Sequence, residues 1–290
     1  FGPTYPLGIG GGALSNVDAL KLLAKLGHEV LNIGFFEDDD LSEYEKRLSE
    51  AKDLKLVRGS IKNYTYLDKV ISMNRSRGEY LNELSLLSRE KDNFLIFRPY
   101  GFHANDNIGY WNGRILFWNN DFDTSRAENC INITKKQKGK IAAISEMLVD
   151  QMEERYGIKC DVLRSVIDWE NIKLHPKKLS DVSQKPLIGL PNPNKFKFGE
   201  LPFRVIESLK EYRFLAAVTW GWDSELLSRL EQEPNVKVLR NLIDISVFYK
   251  DIDILLVPTI LPESYPRFIQ EALFLRIPIV ASAIGNLPWL

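Results

Sequence analysis

Sulfur is scarce in this chain: two cysteines and three methionines in 290 residues. Cys130 and Cys160 cannot build a disulfide framework and form no CxxC metal pair. Two isolated thiols fit a reducing compartment, so the expected location is cytoplasmic. Histidine is scarcer than charge: His28, His103 and His175 stand far apart, and no His/Cys cluster has metal-ligand spacing. An excess of one sign of charge is also missing. Thirty-eight basic residues against thirty-nine acidic ones leave a net charge of −1, which excludes a nucleic-acid binder working by bulk charge. No apolar run approaches the roughly 18–20 residues of a membrane span. What remains is 44% hydrophobic and 27% charged, the balance of a folded globular chain. At roughly 100–200 residues per domain, the length predicts two domains.

Hydrophobic spacing orders the elements. Val17, Leu20, Leu22, Leu23 and Leu26 predict a helix near 13–26, with Gly27 as its stop. A strand is expected over 28–33, a polar helix near 41–52, a short strand around 55–58 and a helix through about 67–89. Phe94-Leu95-Ile96-Phe97 reads as a buried strand ended by Pro99 and Gly101. Strands at 114–118, 140–144 and 160–164 and a helix at 146–155 follow, with 127–136 ambiguous between the two states. Residues 171–184 break the rhythm and read as a linker between a domain of 1–170 and one of 185–290. In the second domain strands are expected at 186–190, 214–219, 236–239, 252–257 and 278–281. Helices are expected at 201–209, 224–230, 245–249 and 267–275. Such alternation predicts an α/β fold of two Rossmann-like, doubly wound parallel-sheet domains facing a cleft, with ligands at the carboxyl ends of the strands.

Gly8-Ile9-Gly10-Gly11-Gly12-Ala13 matches the G-x-G-x-x-A dinucleotide fingerprint. Glycines let backbone approach a phosphate, and a helix N-terminus supplies free N–H groups and positive dipole. The fingerprint needs a strand before it, and Pro3 and Pro6 interrupt that segment; Glu37 lies late for a ribose acid. Three readings stand: a dinucleotide site of an oxidoreductase, a packing turn, and a phosphate- or sugar-facing loop of another α/β family.

The most informative stretch runs from Asp253 through Val257-Pro258-Thr259 to Glu263-Ser264-Tyr265-Pro266-Arg267 and on to Glu271-Ala272. A buried strand enters a loop, and the loop enters a helix. Ser264 is the expected N-cap, with Pro266 in the first turn. Glu263 and Glu271 flank seven residues. One helix would not place both on one face, but a loop Glu263 and a helical Glu271 can point into one crevice, with a helix N-terminus between them suited to an anion.

This stretch resembles the family-four retaining glycosyltransferases of GT-B fold, whose signature is Glu-x7-Glu after a strand ending in Pro-Ser or Pro-Thr. The tail Glu271-Ala272 to Pro278-Ile279-Val280-Ala281 continues the likeness. So do Ile188-Gly189 with Lys197-Phe198-Gly199, Val218 to Trp222 around Gly221, Val236–Asn241, Gly27-His28-Glu29-Val30 and Ile141 to Ser145. The chain departs from the pattern in two places. The family pairs an arginine with the donor lysine five residues apart, and Leu190 stands five before Lys195. Trp289 stands where the family has a glutamate. The chain opens at Phe1-Gly2-Pro3 and ends at Pro288-Trp289-Leu290, so against this pattern it is expected to be truncated at both ends.

The resemblance implies transfer of a sugar from a nucleoside-diphosphate sugar to a glycan, lipid-linked or other acceptor, with retention and without a metal or other cofactor. Glu263 would contact the transferred sugar and Glu271 the ribose. Lys197 first and Lys195 second, the Ser264–Tyr265–Arg267 turn, Gly221 and the loop Gly10-Gly11-Gly12 would hold the rest of the donor. His103, in the loop after a central strand, would face the sugar; its alternative is a solvent-exposed loop histidine. His28 reads as structural and His175 as exposed. The basic clusters around Lys135–Lys138 and Lys173–Lys178 read as solvated faces, with an anionic membrane surface bearing a lipid-linked acceptor as the second reading. The rival functions are a GT-B-like nucleotide- or glycan-binding protein without turnover, a sugar-nucleotide epimerase, and the oxidoreductase.

Overall fold

A computed structural model describes residues 11–35, 54–57, 60–66, 70–75, 85–90, 92–97, 111, 114–120, 124–170, 185–218, 224–240, 242 and 245–290. The expected helix near 41–52, the linker 171–184, and His103, His175, Gly10 and Gly221 lie outside these residues. The chain divides into two units between Ile167 and Asp168.

In the first unit helix α1 (Gly11–Lys25) precedes β1 (Val30–Phe35). Val17 and Ala24 are buried, and Gly27 at φ +93 turns the chain out of the helix. Then come β2 (Leu54–Val57), β3 (Ser60–Tyr66) and β4 (Val70–Arg75). The sheet order is β1-β4-β3-β2: β1 runs parallel to β4, while β3 is antiparallel to both β4 and β2. This overturns the helix expected through 67–89. Val70 and Ile71 are β-branched, β3 is rich in Tyr, Thr and Ile, and mutual pairing of these short strands outweighs the apparent helical spacing. Only residues 85–87 are helical in the described part of that stretch.

The second sheet of this unit is wholly parallel. It comprises β5 (Phe94–Phe97), β6 (Arg114–Asn119), β7 (Lys140–Ala143) and β8 (Asp161–Val162) in sequence order. Helix α2 (Thr124–Lys136) connects β6 to β7, and α3 (Glu146–Tyr156) connects β7 to β8. The stretch left ambiguous is therefore a helix. Its buried residues Ala127, Cys130, Ile131 and Thr134 follow i, i+3, i+4, i+7, one face of a helix. They close over Phe97, Ile115 and Phe117. Helix α3 starts at Ser145, whose hydroxyl accepts from Leu148 N, and ends at Gly157 in the left-handed region.

The described residues of the second unit hold five strands, β9 (Leu187–Pro191), β10 (Arg213–Val218), β11 (Val236–Arg240), β12 (Ile254–Val257) and β13 (Ile279–Ala281). All pairs are parallel, in the order β11-β10-β9-β12-β13. Helices α4 (Lys195–Phe198), α5 (Leu201–Ser208), α6 (Ser224–Gln232), α7 (Ser246–Asp251) and α8 (Arg267–Phe274) lie between them. Separate apolar clusters cover the two faces. Phe203, Ile206, Leu226 and Leu230 pack on one, and Phe248, Tyr249, Ile269 and Ala272 on the other. That is a doubly wound sheet, as expected. Gly189, in the central strand, lies so close to α7 that a Cβ there would stand 2.7 Å from the Ile252 and Phe248 side chains. No helix among the described residues is long and apolar enough to cross a membrane.

Candidate functional site

Strand order fixes where the site of the second unit must be. From β9 the chain winds outward through β10 to β11, then returns to place β12 on the other side of β9. The direction of winding reverses between β9 and β12. In open α/β sheets the loops leaving the carboxyl ends at such a reversal diverge and leave room for a ligand. Here those loops are 192–199 after β9 and 258–266 after β12. The first carries Lys197 and the second Glu263.

The two loops are tied together through backbone before their charges meet. Ile260 N donates to Lys197 O at 2.8 Å. The buried Thr259 hydroxyl lies 3.1 Å from the same carbonyl and accepts from Leu261 N at 3.2 Å. Asn194, also buried, accepts from Lys197 N at 2.8 Å and so caps the short helix α4. Lys197 Nζ then reaches Glu263 Oε1 at 2.6 Å, with both side chains mostly enclosed. A partly buried ion pair of this kind is held more tightly than a surface one, because water screens it less. A third loop locks Glu263 from behind. Asn286 N donates to Glu263 O at 2.8 Å, and Gly285, at φ +63, sits where a Cβ would be 2.5 Å from Glu263 N.

Glu271 belongs to a second cluster at the start of α8. Its side chain is only 4% exposed, a costly place for a carboxylate without partners. Arg267 Nε donates to Oε1 at 2.5 Å, and the Tyr249 hydroxyl donates to Oε2 at 2.8 Å. Burial, first, and the adjacent carboxylate push the Tyr249 phenol well above its usual range. Arg267 is thus largely enclosed in an ion pair with Glu271.

The structure therefore places the expected residues in two groups, Lys197 with Glu263 and Arg267 with Glu271, on either side of the 264–266 turn. Ser264 is not the N-cap. Pro266 holds that position without a side-chain cap, because the helix begins only at Arg267; Glu271 accordingly stands about one turn in. Tyr265 donates its hydroxyl toward Gln270 Oε1 at 3.1 Å. Lys195 is exposed on α4 and joins neither group. Gly11 and Gly12 are exposed residues of the first turn of α1 rather than a loop. A Cβ on Gly12 would meet only Asn120 Nδ2, at 4.0 Å, so no crowding there demands glycine. His28 is exposed just before β1, and Lys135, Lys136 and Lys138 are exposed at the end of α2.

Sequence reasoning missed Tyr249, Thr259, Asn194 and Gly285. Asn192-Pro193-Asn194 directly after a buried strand was the available signal for the cap. Tyr249 and Gly285 carry no local signal, since their partners are distant in sequence. Asp-x-Asp runs, a spacing by which two carboxylates can share a divalent ion, occur at 38–40, 121–123 and 251–253. The first two lie outside the described residues. In the third, Asp253 Oδ2 accepts from Leu187 N at 2.7 Å and serves the start of β9. Among the described residues no group of three or more His, Cys, Asp or Glu could hold a metal ion.

No protein-family model matches the sequence, and no curated protein matches it. Solved structures do. A glycosyltransferase from Rickettsia africae superposes with a TM-score of 0.62 at 17% identity, over 95% of this chain and 76% of that one. HepE of Anabaena, solved with UDP-glucose, gives 0.67 at 15% identity, over 100% and 80%. TarM gives 0.54 at 14% identity, over 81% of this chain and 50% of TarM. At these identities the likeness is one of fold. In fold, with its parallel sheets of four and five strands, the chain resembles the GT-B glycosyltransferases.

Proposed function

We propose that the chain is a retaining glycosyltransferase that moves a sugar from a nucleoside-diphosphate sugar to a hydroxyl of a glycan, lipid-linked or other acceptor. The observation that carries this reading is the Lys197–Glu263 pair at the winding reversal of the second unit, one turn of chain from the Glu271 cluster. The fold likeness to HepE, which was solved with UDP-glucose, supports a nucleotide sugar as the donor class.

In this reading Lys197, the N–H groups of the 264–267 turn and the positive end of α8 receive the diphosphate. As the bond between the anomeric carbon and the diphosphate oxygen breaks, negative charge grows on the leaving group. Donors already in place stabilise that charge without reorganising. The acceptor oxygen bonds to the anomeric carbon, and its proton passes to the departing diphosphate. Glu263 holds sugar hydroxyls near the reacting carbon and keeps the Lys197 ammonium in the site. Glu271 takes the ribose. Fixed cationic groups serve where a divalent ion otherwise would, so a chelator is expected to leave transfer intact.

Calorimetric titration with UDP, GDP and NAD and the sugar conjugates of the diphosphates tests the reading. A nucleoside diphosphate and its sugar conjugate are expected to bind, with NAD silent. Tight NAD binding with no response to any nucleoside diphosphate would overturn it. Diphosphate binding with no transfer to any acceptor would favour a binding protein without turnover.

A further inference from the structure

We propose that Tyr249 is a positioning residue, holding the Glu271 carboxylate in the one orientation that recognises the ribose hydroxyls of the donor nucleotide. This rests on the proposed function and adds to it a residue outside the strand–loop–helix motif. Tyr249 lies on α7, buried against the sheet, and its ring meets Phe248 edge-on at 5.4 Å. Packing alone would be served by phenylalanine. The hydroxyl, however, is aimed at the Glu271 side chain, 2.8 Å from Oε2, with the Phe268 carbonyl farther off at 3.3 Å. A phenol can donate one hydrogen bond, and the carboxylate at the shorter distance accepts it. Because burial and the neighbouring carboxylate hold the phenol well above its ordinary range, it remains a donor throughout neutral pH.

The geometry of the pair is what a diol reader needs. Arg267 Nε donates to Oε1 and Tyr249 donates to Oε2, so the two oxygens are tied by donors from two different helices. Rotation of the carboxylate about its last bond would break one contact or the other. Each carboxylate oxygen can accept two hydrogen bonds, and one on each is fixed by these donors. The remaining acceptor directions are thereby fixed as well. A ribose carries two adjacent hydroxyls and needs two acceptors in a set plane. Without the phenol, Arg267 alone would leave the carboxylate able to turn.

The test compares a nucleoside diphosphate with its 2′- and 3′-deoxy analogues, using UDP, GDP and ADP in parallel on wild-type protein and on Tyr249→Phe. Wild type is expected to prefer the ribose form. In Tyr249→Phe that preference should fall by about three- to tenfold, the scale of one typical net hydrogen bond. A role confined to packing would lower the melting temperature and leave the preference unchanged, which overturns the proposal. A second measurement needs no variant that must fold. Tyrosine labelled with 13C at Cζ, placed at 249 alone in otherwise native protein, should shift on addition of the ribose form and shift less with the deoxy form. An equal response to both overturns the assignment. If wild type binds no nucleoside diphosphate, the proposed function fails and this assignment falls with it. If it binds them without regard to the ribose hydroxyls, only this assignment falls.

Discussion

Glu263 and Gly285 illustrate how a residue proposed to act in transfer is held by one without a side chain. Gly285 adopts φ +63, and a Cβ there would lie 2.5 Å from Glu263 N and 2.8 Å from Glu263 O. Gly157 has nearly the same φ, +61, but a Cβ there would meet nothing within 4 Å. The two glycines separate conformational cost from steric cost. Gly157→Ala is expected to lose about 1 kcal/mol, the left-handed penalty alone. Gly285→Ala should lose at least about 2 kcal/mol, since backbone must also move. Because the backbone that moves is Glu263's, transfer should fall further than stability predicts. Equal losses in urea unfolding of the two variants would contradict the crowding argument. The charged residues divide differently. Glu271→Gln keeps the side chain's shape and should weaken nucleotide binding by about 1–3 kcal/mol, the scale of lost charged hydrogen bonds. Glu263→Ala should reduce turnover more than binding, read as a fall in kcat at nearly constant KM. Wild-type turnover in that variant would remove Glu263 from the reacting centre.

Elements of this chain were legible wherever their stabilising partners are close in sequence. Helix α3 is an example: Ser145 caps its start and Gly157 ends it, both within a residue of the helix they serve. Ser145→Ala is expected to cost about 1 kcal/mol, since the capped Leu148 N would lose its buried partner; an unchanged melting temperature would show that the cap contributes nothing. The parallel strands of the second unit were equally legible, because buried apolar runs such as Leu255 and Val257 between helices leave few alternatives. The 67–89 stretch was not. Its apolar residues fit a helix locally, and β4 takes its place between its neighbour β3 and β1, which pairs from Val30↔Val70 onward, forty residues earlier in the chain. The site divides along the same line. Glu263 and Glu271 stand out by type and spacing, and Lys197 by the family resemblance of its Lys-Phe-Gly segment. Tyr249 and Thr259 act through partners 22 and 62 residues away, and no window along the sequence contains both ends of either contact. The expected Ser264 cap failed for a smaller reason. Pro266 cannot donate, and its fixed φ suits the position just before the first helical residue, so the helix starts two residues later than a serine cap would set it.

Across the whole molecule the charges nearly cancel at pH 7, so net repulsion is small there, and buried weak acids add a pH dependence of their own. Among the described residues three such groups stand out, two in the first unit and one in the second. Cys130, fully enclosed between α2 and the sheet, has its thiol pushed up to about 12 by burial. Cys160 is pushed up to about 11, by burial first and by the neighbouring Asp161 second. The Tyr249 phenol is held well above 10. Each is neutral in the folded state and becomes charged more easily when unfolded. The sign follows directly. The folded forms keep their protons at pH values where the unfolded chain has released them, so the unfolded state gains as pH rises. Stability from these groups is complete below a cysteine's ordinary 9.0 and is lost progressively between there and about 12. Urea unfolding midpoints should therefore hold steady from about pH 7 to 8.5 and decline above 9, with Cys130→Ala showing a shallower decline than wild type. The same protonation makes both thiols poor nucleophiles. Near pH 8 only about one Cys160 in a thousand would be thiolate, and fewer of Cys130, so a disulfide reagent should label the folded protein slowly and both cysteines at once in urea. Fast labelling of native protein, or a midpoint that rises above pH 9, would show that these groups are not enclosed as the fold places them.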